Sequence, residues 1–169
     1  GKFYLFFPAK DYNNVFKIGV AISNSPIGPF IAQPEPIEGS FSIDPAVFRD
    51  TDNSYYMYFG GLWGGQLQRW REGYFNADKL ESPTAFIPND DEIALLPFVA
   101  KMNDGLLEFS EEPKEIQILD ENGKLLLAGD NDRRFFEAAW LHKYNGKYYF
   151  SYSTGDTHYI CYGIGDNPY

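Results

Sequence analysis

One acidic residue in this sequence stands inside a run of aromatic and small apolar residues. Glu137 follows Phe135 and Phe136 in a stretch with strong strand propensity. Strict alternation along a strand places Glu137 on one face with Phe135 and Ala139, and Phe136 on the other. Burial among such neighbours penalises the ionised carboxylate and raises its pKa. A carboxylic acid that stays protonated near neutral pH can act as a general acid.

A structural role for this glutamate is the alternative. Arg133 and Arg134 precede Glu137 by only a few residues, and either could pair with its carboxylate. Ion pairs of this kind also perturb pKa values, so a shifted pKa alone does not identify a catalytic group. The sequence leaves both interpretations open.

Asp44 is the second candidate acid. It directly precedes the strand-like run Pro45–Asp50. Pro45 favours an extended conformation for the residue before it and excludes a preceding helix. In a propeller the innermost strand of each sheet lines the central channel, so an acid at its start would face a ligand. A simple Asp-Pro turn is the competing interpretation.

Trp63 is flanked on both sides by pairs of glycines, Gly60-Gly61 and Gly64-Gly65. Glycine allows close approach of the backbone to a ligand, and an indole face stacks on the apolar face of a sugar ring. Trp63 is therefore a candidate wall of a sugar-binding subsite. A tryptophan that fills the space between two sheets fits the pattern equally well.

Composition excludes several classes of partner. The chain of 169 residues has a net charge of −10, which argues against binding to nucleic acid or to anionic lipid surfaces. It contains no apolar run long enough to span a membrane. Cys161 is the only cysteine, and His142 and His158 lack the spacing of metal ligands. We therefore expect no metal site and no cofactor in this chain.

A repeat organises the chain. Three segments place a turn residue and a short polar residue before an aromatic strand: Gly1–Phe7, Asn53–Phe59 and Gly146–Tyr152. The second and third are preceded by another strand-like run, Pro45–Asp50 and Phe135–His142, and Asn145-Gly146 has the residues of a tight hairpin turn. Repeats of roughly 50 residues built from short strands are typical of a β-propeller. A β-sandwich with similar hairpins is the alternative.

An insertion separates the second and third copies. The run Arg71–Pro97 contains three of the chain's prolines and acidic turn residues, which predicts an irregular loop. Strand-like runs resume at Phe98–Met102, Leu106–Phe109 and Glu115–Leu119. No segment keeps a helical apolar period, so we predict an all-β fold with little helix.

Taken together, three stretches resemble glycoside hydrolase family 43, the five-bladed propeller enzymes that include β-xylosidases and α-L-arabinofuranosidases. The stretches read KFYLFFPAKD followed by FKIGVAISNSPIGPF, SIDPAVFRDTDNSYYMYFGGLWGGQLQRW, and DRRFFEAAWLHKYNGKYYFSYSTGDTHYICYGIGDNPY. They cover nearly the whole chain. The resemblance implies about three central blades of five, so that residues 1–169 form a partial catalytic propeller domain truncated at both ends.

The resemblance also implies roles for single residues. Glu137 corresponds to the general acid of an inverting mechanism, and Asp44 to the carboxylate that tunes its pKa. Four residues correspond to the substrate-binding set: Trp63, Ile43, Phe136 and His158. The general base of the family is an aspartate in an opening blade, and no matching motif precedes Gly1.

Several expectations follow from this correspondence. The fragment alone should have little hydrolytic activity, and its open sheet edges would be free to pair with another chain. The substrate would be a small oligosaccharide containing xylose or arabinose, and calcium is left open for a full-length propeller. A non-catalytic propeller that binds glycan or protein, and a retaining fructan-active hydrolase or transferase, are the competing functions.

Overall fold

Three antiparallel sheets follow one another along the chain in the computed structural model, which describes residues 1–169. The first has strand order β1 (Phe3–Lys10), β2 (Phe16–Ser23) and β3 (Ile31–Ala32). The second has the order β4 (Ala46–Arg49), β5 (Tyr55–Phe59), β6 (Phe98–Lys101) and β7 (Lys114–Glu115). The third contains β8 (Glu137–Tyr144), β9 (Lys147–Thr154) and β10 (Tyr159–Gly165), with β9 in the middle.

These three sheets are the three propeller blades that the repeat predicts. Strands β1, β5 and β9 are equivalent, and each pairs with the strand that follows it along the chain. Strands β4 and β8 are the leading strands of the second and third sheets, and they pack against each other. Strand accounts for 37% of the chain and helix for 4%, which confirms the all-β class.

The hairpin predicted at Asn145-Gly146 is present. Tyr144 pairs with Lys147 across the turn, and the φ angles of Asn145 and Gly146 are 47° and 77°. Positive φ at both central residues matches the right-handed twist of the flanking strands, which explains the preference for Asn-Gly here.

Aromatic and aliphatic side chains from all three sheets form one core. Met57, Tyr58 and Phe59 of β5 are fully buried, because this strand lies in the interior of the second sheet. Phe41 lies edge-on to Phe59 with their ring centroids 5.2 Å apart. Each such buried side chain contributes about 1.5–3 kcal/mol to stability.

Between β5 and β8 the structure has less strand than the sequence predicts. The loop Arg71–Pro97 has no strand or helix, as expected. However, Leu106–Phe109 is not a strand and contributes only a bridge between Met102 and Phe109, while Leu106 has φ 60°. The run Glu115–Leu119 is likewise largely irregular: only Glu115 belongs to β7, and Leu119 forms an isolated bridge with Leu125.

Helical structure is limited to two 3₁₀ turns, Trp63–Gly65 and Leu67–Trp70, that follow β5. None of the helices is long or apolar enough to cross a membrane. Buried Arg69, within the second turn, donates hydrogen bonds to the backbone carbonyls of Asn76, Asp78, Lys79 and Ser82. This arginine therefore holds the start of the long loop against the second sheet.

A hydrogen-bonded ion pair joins the second and third sheets at the far end of β4. Lys143 Nζ lies 2.8 Å from Asp50 Oδ1, and Tyr148 Oη donates to Asp50 Oδ2 at 2.5 Å. Burial of Asp50 opposes its ionised form, but the hydrogen bonds from Lys143 and Tyr148 outweigh this cost and lower the pKa of Asp50 to about 2.

Replacing this carboxylate should weaken the contact between the two sheets. Asp50→Asn removes a charge that accepts hydrogen bonds from the side chains of Lys143 and Tyr148, so the free energy of unfolding should fall by about 1–2 kcal/mol at neutral pH. Because the folded pKa of Asp50 is depressed, its contribution is complete above the ordinary value of 3.8 and is lost as the pH falls towards about 2. Urea unfolding midpoints measure both effects.

Asp52→Asn is the matched control, since Asp52 lies in the same turn and bonds only to Ser54. An Asp50→Asn midpoint equal to that of Asp52→Asn at neutral pH would contradict the proposed role of the ion pair.

Candidate active site

A β-bulge at the start of β8 shapes the surroundings of Glu137. Glu137 pairs with Ser153 and Trp140 pairs with Ser151, so Ala138 and Ala139 together face a single residue of β9. Ala138 adopts φ 58°, an uncommon conformation for a residue with a Cβ. The predicted alternation is therefore interrupted at the bulge, although burial still alternates from Ala138 to His142.

Burial departs from the predicted alternation just before β8. Phe135 and Phe136, predicted on opposite faces, are both buried, with exposed fractions of 1% and 4%. They precede the first residue of β8, so the alternation of a strand does not apply to them. Glu137 itself is half-buried and Ala138 is exposed.

The bulge frees a backbone donor for Asp44. The amide of Ala138 donates to Asp44 Oδ2 at 2.9 Å, which ties the residue before β4 to the start of β8. Asp44 has φ 57° instead of the extended conformation predicted from Pro45. Aspartate tolerates positive φ better than most residues, and the hydrogen bond to Ala138 compensates part of the conformational cost.

The structure places Glu137 away from both arginines that could have neutralised it. Arg133 pairs with Asp130 and Glu121, and Arg134 pairs with Asp156. Burial raises the pKa of Glu137, and the nearby carboxylate of Asp44 raises it further. A glutamate that is half-buried, unpaired and close to a second carboxylate favours its protonated form.

The pKa of Asp44 is raised as well. Burial raises the pKa of Asp44, and the hydrogen bond from the Ala138 amide opposes this effect only in part. Burial is thus the cause that raises the pKa of Asp44, whereas the pKa of Glu137 is raised by burial and by the charge of Asp44.

Ser42 fixes the loop that carries Asp44. Its side chain is fully buried, and its Oγ accepts a hydrogen bond from the Gly61 amide at 3.0 Å and donates to the Gly65 carbonyl at 2.7 Å. Ile43 lies so close to both glycines that a Cβ at Gly61 would be 2.5 Å from Ile43 Cγ1. The glycines beside Trp63 are thus required by the packing of Ile43.

Trp63 lies beside these residues. Trp63 is 37% exposed, and its ring meets that of Phe136 edge-on, with centroids 5.1 Å apart. The amide of Leu62 also donates to the carbonyl of Phe136 at 2.9 Å. Phe136 therefore supports Trp63 from below and offers little surface of its own to a ligand.

His158 is the one candidate that the structure does not connect to the others. It is exposed in the turn between β9 and β10, and its Nδ1 lies 2.7 Å from the Gly155 carbonyl oxygen. No contact joins it to Glu137 or Asp44. The remaining candidates form one group, in which Ile43 and Glu137 both approach Gly61.

Sequence reasoning missed the unusual backbone around the site. Ser42, Asp44, Trp63 and Ala138 all adopt φ between 52° and 63°, although none is glycine. Residues in such conformations cluster at functional sites, where surrounding contacts hold them. The sequence analysis predicted a positive φ at none of these four residues. No group of three histidine, cysteine, aspartate or glutamate side chains is arranged to hold a metal ion.

The sequence model of the family described as "Glycosyl hydrolases family 43" matches residues 1–165. The chain therefore belongs to this family, and the resemblance noted from the three stretches is confirmed. The sheets described above are blades of its propeller fold, as the solved structures of family members show.

Two characterised relatives match over the whole chain. One, described as "Xylosidase/arabinosidase" from Bacteroides ovatus, is 60% identical over 169 residues, which are 100% of this chain and 50% of the relative. The other, "Beta-xylosidase" from Xylanibacter ruminicola, is 52% identical over 100% of this chain and 51% of its own length. The chain spans about half the length of these relatives.

Solved structures of family members also match this chain over its whole length. A family 43 β-xylosidase/α-arabinofuranosidase from a compost microbial metagenome, in complex with xylotriose and in a calcium-free form, superposes with a TM-score of 0.93 and 62% identity. The match covers 100% of this chain and 51% of that one. The GH43_1 enzyme from Xanthomonas citri complexed with xylose gives a TM-score of 0.91 at 49% identity, over 100% of this chain and 50% of its own.

Proposed function

We propose that the protein carrying these residues is a glycoside hydrolase that acts on xylose- or arabinose-containing oligosaccharides with inversion of configuration. The observation that carries the proposal is the state of Glu137, which is half-buried, free of any arginine and placed beside Asp44. Relatives at up to 60% identity described as xylosidases and arabinosidases support the substrate class.

In this proposal Glu137 is the general acid. Its protonated carboxyl group donates to the glycosidic oxygen as the bond to the leaving group breaks. The exposed part of the side chain gives access to a substrate, while its burial keeps the proton at a pH where an ordinary glutamate is ionised.

Asp44 tunes and orients this acid. Its carboxylate raises the pKa of Glu137 through charge repulsion, and its hydrogen bond to the Ala138 amide fixes its position next to the acid. Ala138, the residue after Glu137, binds Asp44 and so holds it on the same side of the site as Glu137. An inverting enzyme needs its base on the opposite face of the sugar, roughly 6.5–9.5 Å from the acid.

We therefore assign the water-activating base to an aspartate outside these 169 residues, which makes residues 1–169 a partial catalytic domain. Trp63 forms one wall of the sugar site, supported by Phe136, and Ile43 shapes the floor through its contacts with the glycine loop. His158 is assigned to the rim by family resemblance alone.

The 169-residue chain by itself should hydrolyse an aryl β-xyloside slowly or not at all. The physical reason is that Asp44 and Glu137 supply an acid and its modulator but no group to activate water. Release of the aryl alcohol, measured with the chain in large excess, tests this, with a full-length family member as the control. Turnover comparable to that control would overturn the assignment of the base.

In the full-length protein, Glu137→Gln should lower kcat by roughly 10²–10⁴-fold on xylobiose, whose leaving group needs protonation. The kcat of this variant on an aryl xyloside with an acidic leaving group should fall far less, because the leaving oxygen departs without a proton. Steady-state kinetics on both substrates measure this split, with Glu115→Gln on exposed β7 as the matched control. Equal losses on both substrates would argue against a general acid.

Asp44→Asn should move the basic limb of the pH profile of kcat/KM to lower pH. Removing the negative charge lowers the pKa of Glu137, so the acid loses its proton earlier as the pH rises. An asparagine oxygen still accepts the Ala138 amide, which keeps the geometry. Asp44 carries its negative charge only at a pH high enough to ionise it. Removing that charge therefore shifts the basic limb of the pH profile.

Asp104→Asn, in an exposed turn, is the control for this change. A basic limb that coincides in the Asp44→Asn variant and the unmodified protein would show that Asp44 does not tune the acid.

A further inference from the structure

Ser42 is a polar residue near the two carboxyl groups that contacts neither of them. Its side chain is fully buried, and its hydroxyl group pairs with two buried backbone groups, the Gly61 amide at 3.0 Å and the Gly65 carbonyl at 2.7 Å. Both belong to the glycine loop, residues 60–65, which follows β5. Asp44 comes two residues after Ser42. One hydroxyl group therefore joins the segment that carries Asp44 to the glycine loop.

The backbone of this segment is in an uncommon conformation at both ends. Ser42 has φ 63° and Asp44 has φ 57°, values that residues with a Cβ keep only where surrounding contacts hold them. Between them, the Ile43 carbonyl accepts the Gly60 amide at 2.9 Å. The segment is held at one end by the Ser42 hydroxyl and at the other by Asp44, which accepts the Ala138 amide.

Loss of the hydroxyl would leave the Gly61 amide and the Gly65 carbonyl buried without this partner. Buried backbone groups are almost always paired, so the glycine loop and the segment would shift until each group finds another partner. Ile43 packs against the same two glycines and would shift with them. The position of Asp44, the next residue, would then no longer be fixed.

Asp44 is also the charge to which Glu137 responds. The other charged side chains on the elements packed around Glu137 have partners elsewhere: Arg133 and Arg134 before β8, Lys143 on β8, Arg49 on β4 and Lys147 on β9. The remaining titratable side chains of these elements are tyrosines and His142, which stacks on Tyr149. A change in the pKa of Glu137 therefore reports on the position of Asp44.

We infer that Ser42 is a positioning residue, whose hydroxyl group holds the Asp44 carboxylate beside Glu137 by fixing residues 42–44 to the glycine loop. The inference rests on the proposed function for the role of Glu137 as the acid. Through Asp44, the buried hydroxyl helps Glu137 to keep its proton to higher pH.

Removing this hydroxyl tests the inference. In the full-length protein, Ser42→Ala should lower the pKa of Glu137, because a displaced Asp44 charge repels the Glu137 carboxylate less. Carbon NMR of glutamate labelled at its carboxyl carbon measures this pKa, with Glu137→Gln to assign the signal. On the basic limb of the pH profile, kcat/KM for xylobiose should fall at least about threefold, with little change at lower pH.

Ser40→Ala is the matched control. Ser40 is also buried, and its hydroxyl group accepts the Ile18 amide at 3.0 Å and donates to the Ile37 carbonyl at 2.6 Å. The change removes a hydroxyl group of the same kind two residues earlier, but it disturbs the first sheet and not Asp44. The pKa of Glu137 should stay as it is in the unmodified protein.

Two further variants make the test specific. Ser42→Gly removes the same hydroxyl group and adopts φ 63° without strain, so it serves where Ser42→Ala does not fold, and the same fall in the pKa of Glu137 is expected. Adding Ser42→Ala to Asp44→Asn should lower the pKa of Glu137 no further than Asp44→Asn alone, because Ser42 acts through Asp44.

The results separate this inference from the proposed function. A lower pKa of Glu137 in the Ser42 variants, absent in the Asp44→Asn background, supports the inference even when the protein hydrolyses no glycoside, a result that would overturn only the proposed function. The inference is overturned by an unchanged pKa, by an equal shift in Ser40→Ala, or by a shift that persists in full with Asp44→Asn. A fall in kcat/KM of the same size at every pH would likewise show that Ser42 only stabilises the fold.

Discussion

The hydrogen bond from the Ala138 amide to Asp44 is the contact on which the candidate site depends. It joins residues 94 positions apart and exists only because the bulge at Ala138 withdraws that amide from the ladder between β8 and β9. The same contact brings the carboxylate of Asp44 close enough to influence Glu137. One irregular residue in a strand thus couples two sheets and sets the protonation of an acid.

The leading strands of the second and third sheets are held together at both ends. At one end Asp44 accepts the Ala138 amide, and at the other Asp50 binds Lys143 and Tyr148. The two aspartates bracket β4, yet their environments shift their pKa values in opposite directions. Asp50 has cationic and hydroxyl donors that stabilise its charge, whereas burial of Asp44 is offset by only a single backbone donor.

The loops around this pair are fixed by buried polar contacts, not by regular structure. Ser42 ties the segment before β4 to the glycines on both sides of Trp63, and Arg69 organises the long loop between β5 and β6. Loops held in this way can carry functional residues in uncommon conformations, because their many contacts outweigh the local cost.

The sequence by itself determined the features that depend on neighbouring residues. The aromatic strands, the Asn145-Gly146 turn and the repeat of hairpins predicted three blades of an all-β propeller, since strand pattern and turn chemistry are local properties. It also singled out Glu137 and Asp44 by residue type and family resemblance. The sequence did not predict that the runs after Met102 form mainly isolated bridges, such as Met102 with Phe109 and Leu119 with Leu125.

Only the tertiary structure decided how the acids are held. The sequence could not tell whether Arg134 would pair with Glu137 or, as found, with Asp156. It also predicted neither the bulge at Ala138 nor the positive φ of Asp44. These features arise where two sheets meet, and the contacts between residues far apart in the chain outweigh local backbone preferences there.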